Sequence, residues 1–343
     1  MDKLQSQTID VVRFPMAALI VLLHTGALGL GSSQPIYRSL SILTNAGICR
    51  LAVPCFFFIS GYLFFTKLQV WNWSIWGGKL NGRLRSLFVP YLLWNLIAAV
   101  LIFGFRLWES SKAGIVSLSF IQHIKEWDSL WDPSLPFDGP LWFIRDLMIL
   151  CLLAPVVHWL ISHLGIYWII ICFAVSLILG PKMDGVLFFS AGAYFQSNGY
   201  DILKVFHRYR IPSYILSLPL LIAILLSYQQ QHIYFVFRGF FLVVGIITIF
   251  NLVATGLKTG WLSEHPFLCK SSFFIFAAHN ILVLHAISHY IVLHLIPFSW
   301  GELYNCIDLF LRPTIALVIC LGLFWTMSKL TPRTLRLLTG GRI

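Results

Sequence analysis

"DVVRFPMAALIVLLHTGALGLG", residues 10 to 31, is apolar enough to sit in a membrane, yet it carries Asp10, Arg13 and His24. An Asp or Arg at the centre of a spanning helix costs about 2.5–3.5 kcal/mol on insertion scales, so such groups normally face a bundle interior or a water-filled cavity. At 100° per residue, Arg13 and His24 lie about 20° apart in azimuth, and Asp10 lies within about 60° of both. All three share one stripe. The rise from Arg13 to His24 is about 16 Å, so an Arg13 near the inner surface puts His24 near mid-membrane. Asp10 lies about 21 Å from His24 along the axis, too far to orient it. Any partner for the imidazole comes from another helix. Two readings fit these residues: a polar track from the cytoplasm to a buried imidazole, or a snorkelling Arg13 paired with Asp10 and a His24 bonded to backbone.

The rest of the chain supports the membrane setting. Of 343 residues, 58% are hydrophobic and 11% charged, with a mean hydropathy of +0.82. A soluble domain carries about a quarter charged residues. Apolar segments fall near 11–31, 44–66, 86–107, 140–161, 164–181, 185–197, 212–229, 233–256, 271–296 and 305–328. The sixth is short for a span, which needs about 20 residues. The expectation is an all-α, polytopic transmembrane bundle of about ten helices, forming one integral-membrane domain over 1–343. The first segment loosely resembles a signal peptide, but Asp10, Arg13, Pro15 and His24 fit an h-region poorly, so it reads as retained. The seven cysteines form no C-x-x-C pair, which points to neither a disulfide framework nor a metal site.

With a cytoplasmic N-terminus, the inside segments hold Lys3, Lys67, Lys79, Arg83, Arg85, Lys204, Arg208, Arg210, Lys258, Lys270, Lys329, Arg333, Arg336 and Arg342. The outside segments hold Arg38, Arg106, Lys112, Lys125 and Lys182. Fourteen against five favours both termini in the cytoplasm. The longest outside loop, about 108 to 139, is acidic, with Glu109, Glu126, Asp128, Asp132 and Asp138. Much of the net charge of +11 is therefore topology signal, and nucleic acid is not an expected partner.

Further polar groups sit where lipid should be. His279, in "KSSFFIFAAHN", reaches a depth of about 13 Å from Lys270, similar to that of His24. His285 and His289 have i, i+4 spacing, but no third ligand accompanies them, so no metal is expected. Lys79, Arg83 and Arg85 open the third helix. They suit either the phosphates of a cytoplasmic cofactor or positive-inside anchoring, and charge alone does not separate the two. Trp142 with Arg145 and Asp146 suits a sugar, or an interfacial aromatic belt over an ion pair. No P-loop or G-x-G-x-x-G fingerprint is present.

Taken in order, these pieces resemble the integral-membrane acyltransferase-3 family. Arg13, ten residues and then His24 match its R-x10-H motif. "FFFISGYLFF" (56–65), "RLRSLFVPYLLWN", "GPLWFIRDLMIL" and "SSFFIFAAHN" are similar to its second, third, fourth and late helices. Some members carry R-x-x-R at the inner end of the third helix; here the residue three before Arg85 is Gly82. The chain resembles the type without a fused SGNH domain. The resemblance implies a multi-pass O-acyltransferase of the bacterial inner membrane, most plainly an O-acetyltransferase. Its donor substrate is acetyl-CoA or another acyl-CoA, with no permanently bound cofactor, and its acceptor is a cell-surface or lipid-linked glycan. Arg13, Lys79, Arg83 and Arg85 would hold the donor, and His24, with Arg13 and His279, would do the chemistry as general base or acyl relay. Trp142, Arg145 and Asp146 would meet the acceptor. An unperturbed histidine titrates at roughly 6.5, which suits a base near neutral pH. The rival from another class is a proton-coupled transporter with His24 and His279 as its relay.

Overall fold

Backbone polar groups in lipid can be satisfied only within helices or closed barrels. In the computed structural model, which describes residues 2–25, 27–112 and 136–342, this chain uses helices, with no strand among the described residues. In chain order they are α1 (Lys3–Thr25), α2 (Pro35–Ser41), α3 (Ala52–Phe64), α4 (Trp73–Arg83), α5 (Val89–Lys112), α6 (Trp142–Leu152), α7 (Ala154–Leu164), α8 (Ile166–Leu179), α9 (Asp184–Ser197), α10 (Ile202–Arg208), α11 (Arg210–Ser227), α12 (Gln231–Lys258), α13 (Pro266–Ala278), α14 (Leu282–Leu295), α15 (Glu302–Leu330) and α16 (Pro332–Thr339). Two π-helical turns, Ile42–Gly47 and Leu84–Phe88, lead into α3 and α5.

All ten apolar segments are helical. Among the described residues, seven helical stretches are long and apolar enough to cross a membrane, or eight if α6 and α7, bent by 63°, make one span. Two features account for the lower number. The Ile166–Ser197 stretch counts as one span by composition, but it folds back at Gly180, whose φ is +62°. Leu177 packs on Gly239 and Gly180 on Phe235, so α8 runs antiparallel to α12. Asp184, in contrast, pairs with Arg238, and Phe195 reaches Phe250 through edge-on contacts with Phe206, so α9 runs parallel to α12. The other feature is α13, which stops after 13 residues, about 20 Å and short of the roughly 30 Å hydrocarbon core. The first helix also differs from expectation, starting at Lys3 rather than residue 11. Its polar first turns are held by packing: Gln5 donates to Tyr62 Oη at 2.9 Å and accepts from Ile202 N at 2.8 Å.

Helix α1 lies at the centre, against α3, α12, α13 and α15. The closest seam joins α3 to α9. A Cβ on Gly61 would lie 2.1 Å from the Phe189 carbonyl oxygen, and one on Gly192 would lie 2.1 Å from that of Phe58. Small residues let membrane helices approach this closely, and packing then replaces the hydrophobic drive that lipid removes. Short α16 turns back onto the bundle against α5 and α13, where Trp94 Nε1 donates to the Leu338 carbonyl at 2.9 Å. The acidic segment at 126–132 lies outside the described residues, as does the side chain of His285. All seven cysteines are free.

Candidate functional site

The lower end of the stripe on α1, Asp10 and Arg13 but not His24, lines a cavity of about 510 Å³. Arg13 pairs with Asp10 one turn earlier at 2.6 Å, and both line the cavity. Arg83, at the end of α4, enters from another side, and Glu264, Lys270 and Arg342 complete the charged part. Four cations thus face two carboxylates. Further in, the walls are apolar, built from Phe56, Ile59, Phe143, Leu147, Phe273 and Phe276 among others. Lys79 lies in a smaller depression of about 210 Å³ that shares Arg83 with the main cavity. Lys79 and Arg83 both sit over the Phe64 ring, at 5.7 and 5.8 Å.

Arg85 lines neither space and is exposed. It follows Arg83 by two residues, about 200° around a helix, and the π turn begins between them. The two arginines therefore face opposite ways. Trp142, Arg145 and Asp146 do not line the cavity either. Arg145 pairs with Asp146 at 2.7 Å, and Trp142 is exposed on the outside of the bundle.

The cavity's deep wall reaches Phe276, one turn before His279, about 4.5 Å along the axis. His279 is buried and its Nε2 lies 3.1 Å from His24 Nδ1, with ring centroids 4.8 Å apart. The neighbouring carbonyls point to one tautomer for each ring. His279 Nδ1 faces two carbonyl oxygens, Phe276 at 2.8 Å and Ile275 at 3.1 Å. A carbonyl only accepts, so Nδ1 carries the proton and Nε2 the lone pair. His24 Nδ1 faces the Ile20 carbonyl at 2.8 Å and so is also protonated, sharing its proton with His279 Nε2. The basic lone pair of His24 then resides on Nε2. The structure shows the Arg13–Asp10 pair, the backbone bond of His24 and a partner from another helix; the cavity lining stops short of His24.

A family model described as an acyltransferase domain matches residues 7–329. The chain belongs to this acyltransferase family. Among curated relatives, the acyltransferase is similar to the succinoglycan biosynthesis protein ExoH of Rhizobium meliloti (strain 1021), at 25% identity over 316 residues covering 88% of this chain and 82% of the relative. No solved structure matches it.

Several residues in and near the candidate site were not singled out in the sequence. Phe143 and Ile144 reach the cavity where the neighbouring Trp142 does not, because one residue on a helix turns the side chain by 100°. Asp138, Asn95 and Asn280, the residue after His279, gather together: Asp138 N donates to Asn95 Oδ1 at 3.3 Å, and Asn280 Nδ2 approaches Gly139. Burial pushes the Asp138 carboxyl up to about 8, opposed in part by the nearby Asn280 amide, and neither carboxylate oxygen has a hydrogen-bond partner among the described residues. Arg342 is the third arginine of the cavity, with its guanidinium 4.3 Å over the Phe273 ring.

Proposed function

We propose that this acyltransferase moves an acetyl group from cytoplasmic acetyl-CoA to a hydroxyl of a cell-surface or lipid-linked glycan, with His24 as general base. It works as a multi-pass protein of the bacterial inner membrane, with its N-terminus in the cytoplasm, where the basic end of the bundle belongs under the positive-inside rule. The observation that carries the reading is a cationic cavity whose apolar far wall ends one turn from the His24–His279 contact. A donor with an anionic end and an extended neutral arm matches that order. Its phosphates meet Arg13 and Arg83, which have the donor geometry phosphate favours, while the arm follows the apolar walls. Acyl-CoA has this shape. A glycan acceptor is favoured because the relative serves succinoglycan biosynthesis by name. Membership of an acyltransferase family favours transfer over proton-coupled transport.

The chemistry follows from the proton positions. His24 Nε2 takes the proton of the acceptor hydroxyl as that oxygen attacks the thioester carbonyl. His24 becomes an imidazolium, and its Nδ1–H bonds more strongly to the His279 lone pair. When the C–S bond breaks, the leaving thiolate takes the proton back from Nε2, giving the ester and free CoA. Arg13 binds and orients the donor, about 16 Å below His24.

Labelled acetyl-CoA turnover by the purified protein tests this, comparing wild type with His24→Ala and Arg13→Ala. Wild type should release CoA slowly even without acceptor. His24→Ala should lose turnover but keep donor binding, and Arg13→Ala should chiefly raise KM. If none of the three proteins binds or consumes any acyl-CoA, the reading is wrong and transport becomes the better account.

A further inference from the structure

Helix α16 reads "PRTLRLLT" and buries Leu335, Leu338 and Thr339 against the bundle. It is followed by Gly340, Gly341 and Arg342, in a stretch beyond the region the family model matches. By sequence, the charges of this stretch counted only as topology signal. The structure gives one of them a more specific position. Gly340 closes the helix in the left-handed conformation, with φ +62°, so near the chain at Ser86 that a Cβ would lie 2.3 Å from the Ser86 carbonyl oxygen. Only glycine suits both conditions. The turn sends the chain back toward the mouth of the cavity, and Arg342 enters it between Ser86 and Phe273.

Its Nη1 donates to the Ser86 carbonyl at 2.9 Å and to the Thr339 carbonyl at 2.8 Å. These bonds use the two N–H groups of one nitrogen, while Nε and Nη2 carry the other three. Together they fix the plane of the guanidinium without neutralising it. The carboxylates of the cavity, Asp10 and Glu264, are outnumbered by Arg13, Arg83, Lys270 and Arg342, and Asp10 is already engaged by Arg13. A cation held by carbonyls, beside two other guanidiniums, is arranged for an anion that none of these side chains supplies.

We propose that Arg342 binds a phosphate of the acyl donor together with Arg13 and Arg83, so that the α16 segment forms one wall of the donor site. The proposal rests on the reading of this cavity as the donor site and names a binding residue in it. Burial, with Arg83 and Arg13 close by, pushes the Arg342 pKa down to about 9, which leaves it cationic at neutral pH. A bound phosphate would relieve that strain.

The experiment is a calorimetric titration of the full chain in detergent with CoA and with pantetheine, which has the same thiol arm but no phosphate. Wild type is compared with Arg342→Met, which keeps an apolar stem against Phe273, and with Arg342→Lys. Loss of charge-assisted bonds predicts CoA binding weaker by about ten- to a hundredfold in Arg342→Met. Pantetheine binding should be unchanged in that variant, and Arg342→Lys should recover part of the loss. Equal CoA affinity in wild type and Arg342→Met overturns the proposal while leaving the donor site standing. Parallel loss of CoA and pantetheine binding also overturns it, because Arg342 would then be a structural plug. If wild type itself shows no affinity for CoA, the donor reading falls and takes this proposal with it.

Discussion

The contact between His24 Nδ1 and His279 Nε2, at 3.1 Å, makes removal of the second imidazole an informative perturbation. In the ground state the Nδ1–H of His24 is already shared with the Ile20 carbonyl at 2.8 Å, so His279 adds little to holding a neutral His24. Once His24 has taken a proton, the same bond is made by a cation and gains strength. A hydrogen bond to a charged group contributes about 1.5–3 kcal/mol. His279→Ala should therefore lower kcat about 10- to 150-fold with little change in KM for the donor. Loss of the base itself, in His24→Ala, should cost about 10²- to 10⁴-fold. Because His279 is a positioning residue that acts only through His24, the double variant should be no slower than His24→Ala alone. Initial rates of acetyl transfer or CoA release across a donor titration measure all four proteins. Multiplicative losses in the double variant, or a His279→Ala enzyme with wild-type kcat, would refute the coupling argued here.

Three further outcomes follow from the same geometry. Arg83→Ala should raise KM for the donor markedly whereas Arg85→Ala should leave it nearly unchanged, since only Arg83 lines the cavity; steady-state kinetics of the two variants decides. Gly192→Ala must open the α3–α9 seam against the Phe58 carbonyl and should cost about 1–3 kcal/mol. Gly322→Ala, on a helix with nothing within 4 Å, should be neutral or stabilising by up to about 1 kcal/mol, and thermal unfolding in detergent compares them. The Asp138 carboxyl is raised from 3.8 to about 8, so the folded protein holds a proton that the unfolded chain gives up. That contribution to stability is complete below pH 4 and is lost as pH rises to 8. Asp138→Asn should accordingly flatten the fall of the melting temperature between pH 5 and pH 8; an unchanged slope would mean the proton is not held there.

What the sequence made legible divides along physical lines. Hydropathy located the apolar arms, because lipid forces each of them to be apolar whatever its neighbours are, but not the short helices α2, α4, α10 and α16 between and after them. The spacing of Arg13 and His24 exposed the working face of α1, because a straight helix returns to the same azimuth after eleven residues. His279 could be matched to His24 by depth alone. Azimuth beyond α1 was harder. Lys79, Arg83 and Arg85 formed one basic cluster as a string, but the π turn at Leu84–Phe88 separates Arg83 from Arg85. Trp142, Arg145 and Asp146 suited either a sugar or an interfacial belt by composition, and the ring beside them that faces the cavity, Phe143, carried no signal of its own. Arg342 had no local signal, since its place depends on a glycine turn docking against Ser86, far away in the chain.

The break between α13 and α14 joins structure to chemistry. A helix that ends inside a membrane leaves carbonyls without intrahelical partners, at a cost of several kcal/mol each if nothing else satisfies them. Here α13 ends at Ala278, and the next residue folds its own imidazole back so that Nδ1 faces the carbonyls of Ile275 and Phe276. Capping the helix therefore also chooses the tautomer of His279. With its proton committed to the cap, the ring can offer only a lone pair to His24. That acceptor in turn keeps the His24 proton on Nδ1 and the basic nitrogen at Nε2. The Ile275 carbonyl also accepts from the His279 backbone N–H at 3.1 Å, and His24 on unbroken α1 sets its Nδ1 proton against the Ile20 carbonyl in the same way. Each imidazole thus takes its tautomer from a carbonyl of its own helix, and the two rings meet Nε2 to Nδ1.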